Sequence, residues 1–282
     1  MRVGIIVPQG WTGEYDGWDP ARAWARTVAV AHEAEALGFD SLWLFDHFQT
    51  EPVPTDEITF EAFVGLSALA VETARVRLGH LVLCAGYRNP ALVAKMISTL
   101  DVVSGGRAEL ALGAGWKEDE HTAYGFGFPP LKERMALLED SLEVATRMLA
   151  PGRATYGGSQ ATVVDAINVP KGVQSPRVPI MVGGGGEKKT LRIVAEHADI
   201  WHSFEGDASL ARKLEVLKGW CAEVGRPTDE IEISGHVSHV DPAALERQYE
   251  RGVRLFQAAT SGPDHDLTTL RQLLAWRESF GA

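Results

Sequence analysis

Two hydrophobic patterns alternate along the chain. Val3–Val7 is a short, unbroken apolar run closed by Pro8, which predicts a strand buried on both faces. Asp19-Pro20 then supplies an N-cap and a proline at the first helical position. Trp24, Val28, Ala31 and Ala34 recur at helical spacing, and Gly38 follows as a stop. The same pair of patterns returns as strand Ser41–Phe45 with helix Phe60–Ala74, strand Val76–Cys84 with helix Pro90–Val103, and strand Arg107–Leu112 with a long amphipathic helix carrying Leu131, Met135, Leu138, Leu142 and Ala145. The rhythm breaks at Arg153–Arg177, where Gly157-Gly158, Pro170 and Pro176 among β-branched residues predict an excursion containing a small hairpin. It resumes with strand Val178–Val182 and helix Glu187–Glu196, strand Asp199–Ser203 and helix Ser209–Val224, strand Ile231–Val237 and helix Pro242–Arg251, and strand Val253–Ala259 and helix Asp266–Phe280.

Strands that read as continuous apolar runs belong to parallel sheets covered on both faces. Eight strand-then-helix units in a chain of 282 residues match the size of a (β/α)8 TIM barrel. A doubly wound open sheet has the same local signature. With no linker-like segment, the expectation is one domain over 1–282 with an insertion at about 153–177.

Composition narrows the class. The 38 acidic and 27 basic residues give a net charge of -11, which argues against nucleic acid or an anionic membrane surface as partner. The longest uncharged apolar stretch, Ala62 to Val71, is far below the ~20 residues of a membrane span. Only Met1-Arg2 precedes the first strand, so no leader is expected, and two cysteines cannot form a disulfide framework. A cytoplasmic protein is the expectation. No Cys/His spacing resembles a metal site.

In a barrel, chemistry sits at the C-terminal ends of the strands. Those ends carry Gln9 to Trp18, Asp46-His47, Cys84 to Asn89, Gly113 to Glu120, Gly183 to Gly186 and His202 to Glu205. Gly183-Gly184-Gly185-Gly186, between a strand and a helix, offers bare N–H groups to a phosphate, or simply a flexible turn. It is neither a P-loop nor GxGxxG. Asp46-His47 can bind a polar ring edge and move a proton, or be a capping pair. Gly115 permits close backbone approach and Trp116 can stack on a planar ligand, while Glu118, Glu120 and His121 are acid/base candidates in a first helical turn. Trp11 and Trp18 wall or lid the mouth. His80 reads as a core histidine, Lys188-Lys189 as solvated surface within reach of a phosphate, and Cys84 and Cys221 as packing residues.

The ordered set Trp43-Leu44-Phe45-Asp46-His47, Leu78-Gly79-His80-Leu81-Val82-Leu83, Tyr87-Arg88-Asn89-Pro90, Gly105-Gly106-Arg107, Leu112-Gly113-Ala114-Gly115-Trp116, Glu120-His121, Tyr124-Gly125, Pro179-Ile180-Met181-Val182-Gly183-Gly184 and Ala198-Asp199-Ile200-Trp201 resembles the luciferase-like family of flavin- and deazaflavin-dependent oxidoreductases, specifically its coenzyme F420-dependent branch. The resemblance covers essentially the whole chain. It implies a TIM barrel with an insertion and a cofactor across the mouth, its phosphate near Gly185-Gly186. Asp46 would contact the deazaflavin ring, with Cys84, Gly115 and Trp116 also lining the cofactor. His47 would donate or accept the proton, and a non-prolyl cis peptide near Leu81-Val82 would prop the ring. Glu118 aligns with a site-lining position and is carried as a second catalytic candidate. Trp116-Lys117 replaces smaller residues there, and His202 stands where many relatives have Asn. A short connection between the seventh and eighth strands means that a sugar-phosphate substrate does not carry over. The implied activity is hydride transfer between F420 and a small organic molecule, in a homodimer, with an F420- or flavin-reducing partner enzyme possible. The alternatives are an FMN-dependent monooxygenase, a phosphosugar lyase or isomerase on the same barrel, and an idle cofactor carrier.

Overall fold

The computed structural model describes residues 1–204, 207–260, 265 and 267–280. Glu205 and Asp266, both named above, lie outside the described residues. The elements in chain order are β1 (Arg2–Ile6), α1 (Pro20–Leu37), β2 (Ser41–Leu44), α2 (Ala62–Glu72), β3 (Arg77–His80), β4 (Leu83–Cys84), α3 (Pro90–Val103), β5 (Ala108–Gly113), α4 (Glu118–Ala123) and α5 (Leu131–Leu149), then β6 (Ala154–Gly157), β7 (Thr162–Ala166), β8 (Ile180–Gly183), α6 (Thr190–His197), β9 (Ile200–Ser203), α7 (Asp207–Val224), β10 (Glu232–Val237), α8 (Pro242–Glu250), β11 (Val253–Ala259) and α9 (Thr268–Ser279).

Parallel pairing runs β3-β2-β1-β11-β10-β9-β8-β5-β4, and a further β3–β5 pairing closes the ring. With β3 and β4 as two halves of one stave, this is a closed eight-stave parallel barrel wrapped by helices. The open-sheet alternative is excluded. The expected hairpin is the antiparallel pair β6–β7, inside the excursion at 153–177.

The staves are mostly apolar on both sides because both sides are buried. Ile6, Trp43, Leu81, Ala111, Met181, Ile200 and Leu255 fill the lumen, and a larger cluster packs between the staves and the helices. Trp43 determines its neighbours. A Cβ at Gly4 would come within 2.8 Å of its indole nitrogen, and one at Gly79 would overlap its ring, so the staves on either side carry glycine there. The indole N–H donates to Ser41 Oγ at 2.8 Å.

The Leu81-Val82 peptide is cis, as the resemblance implies. Three local expectations need correction. The strand read as unbroken over Val76–Cys84 is split between His80 and Leu83. A short helix, α4, precedes α5. The helix after the glycine run begins at Thr190 rather than Glu187, since Lys189 holds φ -120° and ψ -54° outside the helical pattern.

Candidate functional site

A cavity of about 1280 Å³ opens at the C-terminal ends of β2, β4, β5 and β8. Its walls include Asp46, His47, Leu81, Val82, Cys84, Gly115, Trp116, Gly183, Gly184 and Gly186, so nine of the expected residues outside the acid/base pair and the glycine at 185 converge with His47 on one space. Gly185 sits in the chain between two of its lining residues.

His47 is built into place by three elements. Its Nδ1 lies 2.8 Å from Glu120 Oε2, on α4. Trp11, from the loop after β1, stacks on its ring at 4.4 Å and 5°. Trp116 approaches its edge at 5.8 Å. Glu120 is fully buried and also accepts from the Phe48 N–H at 2.9 Å and the Tyr87 hydroxyl at 2.9 Å. Burial opposes its ionisation, but His47 and these donors outweigh it and hold the carboxyl below the usual range. With Nδ1 engaged, Nε2 is the ring nitrogen left for proton exchange.

Glu118, the second catalytic candidate, is elsewhere. It is exposed at the start of α4 and does not line the cavity, while Glu120 faces inward. Two helical steps turn a side chain through about 200°, so only one of the two can reach His47. Asp46 lines the cavity, yet its carboxylate is spent inside the protein. Arg88 binds both oxygens at 2.8 and 2.9 Å, and the Cys84 N–H donates to one at 2.8 Å. Asp46 therefore ties β2 to β4 and to the turn before α3 (a structural task in addition to lining the space). Cys84 Sγ lies 3.6 Å from His121 Nε2, and burial pushes its thiol up to about 12, which leaves it unreactive.

At the other end of the cavity, the glycine run is held from behind. The Trp201 indole N–H donates to the Gly184 carbonyl at 2.8 Å, and the Gly184 N–H donates to the His202 carbonyl at 3.2 Å. Gly184 has φ +117°, a conformation that excludes other residues. Lys188, Lys189 and Arg212 add positive charge at the rim. Trp18, by contrast, packs on Tyr15 and under Arg22, away from the cavity.

Several contributors were not visible in the pattern. Arg88 and Tyr87 matter through partners 42 and 33 positions away. The first turns of α5, with Leu131, Lys132, Met135 and Glu139, form a whole wall. A lysine among the apolar positions of that helix start was the one available signal.

The residues present fit a flavin-type group. A Cβ at Gly183 would meet Val82 Cγ1 at 2.9 Å, and one at Gly186 would meet Thr190 Oγ1 at 2.8 Å. Both positions therefore present backbone rather than side chain to the cavity, beside a hydroxyl and three cations that suit a phosphate. Among the described residues there is no group of three or more metal-ligating side chains, and no helix is long and apolar enough to cross a membrane.

Residues 1–276 match the model of the luciferase-like monooxygenase family. An uncharacterised protein of Mycobacterium tuberculosis (strain ATCC 25618 / H37Rv) is 29% identical over 214 residues, 71% of this chain and 74% of the relative. An F420-dependent glucose-6-phosphate dehydrogenase of Microbacterium testaceum is 31% identical over 224 residues, 76% of this chain and 65% of that enzyme. Among solved structures, an F420-dependent secondary alcohol dehydrogenase in complex with an F420-acetone adduct superposes with a TM-score of 0.82 at 18% identity, covering 98% of each chain.

Proposed function

Because the chain belongs to the luciferase-like monooxygenase family, we propose that it is an oxidoreductase that transfers a hydride between coenzyme F420 and a small organic substrate. The observation that carries this reading is a single cavity with an oriented histidine at one end and a glycine-and-lysine cradle at the other. F420-dependent enzymes among its relatives support the choice of cofactor.

Gly183, Gly184, Gly185 and Gly186, with Thr190 beside them, would hold the cofactor phosphate. Lys188, Lys189 and Arg212 would meet its acidic tail. Leu81, Val82, Cys84, Gly115 and Trp116 would border the ring. When bound, F420 supplies two-electron hydride chemistry. His47 gives or takes the accompanying proton at Nε2. Glu120 keeps the Nδ1–H tautomer in place, and the Trp11 indole fixes the plane of the ring. Trp116 and the first turns of α5 would line the reacting face.

A fluorescence titration with oxidised F420 and, in parallel, FMN tests the reading. Micromolar or tighter binding of F420, with weaker FMN binding, is expected. The reverse preference would replace it with a monooxygenase using reduced FMN and oxygen, and binding of neither would overturn both. We further propose a cytoplasmic homodimer served by an F420-reducing partner enzyme. Exposed Val64 and Val71 on α2, with Leu92, Val102 and Val103 on α3, support pairing of barrels, which light scattering would reveal.

A further inference from the structure

On the far side of the lumen from His47, four polar side chains stand together on β9, β10 and β11. His202 pairs in register with Ser234, and His236 with Gln257. His202 Nδ1 lies 2.9 Å from Ser234 Oγ, and Gln257 Nε2 donates to the same oxygen at 3.0 Å. Gln257 donates to Ser234 Oγ, and among the described residues the Ser234 hydroxyl proton has no acceptor other than His202 Nδ1. The arrangement that uses every proton therefore has Ser234 donating to Nδ1 and the imidazole carrying its hydrogen on Nε2.

That arrangement leaves two atoms without a protein partner, a donor at His202 Nε2 and an acceptor at Gln257 Oε1. Both residues are fully buried. His236 Nδ1 is a third buried atom without a partner. Buried polar atoms left unpaired oppose folding, and a native protein retains them where something else completes the bonds. The cluster adjoins the cavity. Phe204, a cavity residue, sets its ring edge-on to His202 at 4.4 Å, and Gly184 is bonded to the His202 backbone.

We propose that His202 and Gln257 form a neutral donor–acceptor subsite that recognises a hydroxyl group of the substrate. The proposal rests on the oxidoreductase reading and names its substrate class, an uncharged hydroxyl-bearing molecule. A hydroxyl uses both free atoms, accepting from His202 Nε2–H and donating to Gln257 Oε1. A carbonyl uses only the first, and a carboxylate meets no cation among these four side chains. The subsite recognises and does not transfer protons, since burial pushes the His202 imidazole down to about 3 and keeps it neutral.

The test is a titration of protein carrying ¹⁵N-labelled histidine and loaded with F420, using propan-2-ol, acetone and isobutyrate as probes. The expected result is a saturable shift of the His202 Nε2 resonance with propan-2-ol, about tenfold weaker binding of acetone, and no response to isobutyrate. In Gln257→Leu, propan-2-ol should fall to the level of acetone while F420 affinity is unchanged. A resonance unmoved by every probe, an equal response in Gln257→Leu, or a resident water that propan-2-ol does not displace would each overturn the subsite. The wild-type titration stands even where the variant fails to fold. If F420 does not bind, the oxidoreductase reading falls, and the same titration without cofactor still decides the subsite.

Discussion

Glu120 touches neither the cavity's far wall nor the glycine run, yet it sets which nitrogen of His47 is available. Glu120→Gln keeps the volume and loses the charge. Its amide can present either a donor or an acceptor to Nδ1, so the tautomer is no longer imposed. Turnover should fall roughly 10²–10⁴-fold, the range for a misaligned acid/base group, with F420 affinity nearly unchanged. His47→Ala should fall within the same range. Parallel measurements of kcat and cofactor affinity check both; near-normal turnover in His47→Ala removes His47 from proton transfer, and in Glu120→Gln it removes Glu120 from orienting the ring. This pairing was only half legible beforehand. Acidic residues in the first turn of α4 were visible as candidates, but whether position 118 or 120 faces inward depends on where the helix starts, and periodicity does not give that over six residues.

Two other histidines work through stability. His80 and His202 are fully buried, and burial pushes each imidazole down from 6.5 to about 3. A lowered folded-state value means that the unfolded chain binds the proton more readily. Stability is therefore complete above pH 6.5 and falls with decreasing pH, by about 1.4 kcal/mol per pH unit for each histidine. Glu120 acts in the same sense below its ordinary value of 4.5. Urea unfolding at pH 7.5 and 5.5 should show a drop of roughly 2–3 kcal/mol, and His202→Asn should remove about half of it. A flat profile would contradict the burial argument.

Among the elements, the glycine run and β9 work as a unit. Trp201 points out of the barrel, away from any ligand, but its indole N–H is the bond that holds the Gly184 carbonyl. Trp201→Phe leaves that carbonyl without its donor and loosens the cradle. F420 binding should weaken about three- to tenfold, the worth of one hydrogen bond. A titration giving the wild-type affinity would show that the cradle holds its shape without Trp201. The strand ends that form the cradle were legible because apolar runs stop abruptly at polar or glycine residues. The start of α6 was not, because Glu187, Lys188 and Lys189 have good helical propensity, while the chain uses them as a turn around the rim. The split of β3 from β4 left no mark, because Leu81 and Val82 carry the apolar run on to Cys84, and its position came from the resemblance alone.

At the scale of the whole molecule, the end of the barrel opposite the cavity is closed by charges. Arg2 bridges Glu109 at 2.7 Å and Glu232, and Arg77 also binds Glu109. Glu109 is buried at the centre of this group. Glu109→Ala would remove the carboxylate that both arginines share, leaving Arg2 to Glu232 and Arg77 to Gln174, at a cost of about 1–3 kcal/mol. Chemical denaturation should register that loss, with F420 affinity unaffected because the cavity lies at the other end. A loss below ~1 kcal/mol would mean that the arginines find water instead. The eightfold rhythm that predicts this barrel is legible because each stave is buried on both sides and is therefore mostly apolar. The ionic closure is not, since its members are 107 and 230 positions apart in the chain.

The hairpin β6–β7 never reaches the cavity, but it is fastened to the wall that does. Asp140 on α5 accepts from the Tyr156 hydroxyl at 2.7 Å and from the N–H groups of Gln160 and Ala161 at 2.6 and 3.0 Å. Its chain neighbour Glu139 lines the cavity. A shift in the hairpin is therefore carried into α5 and felt by whatever lies against Met135 and Glu139. Variation confined to an exposed appendage can thus retune which molecules the barrel accepts, while His47, Glu120 and the cradle stay as they are. Selection for a new substrate has a route here that leaves the chemistry untouched.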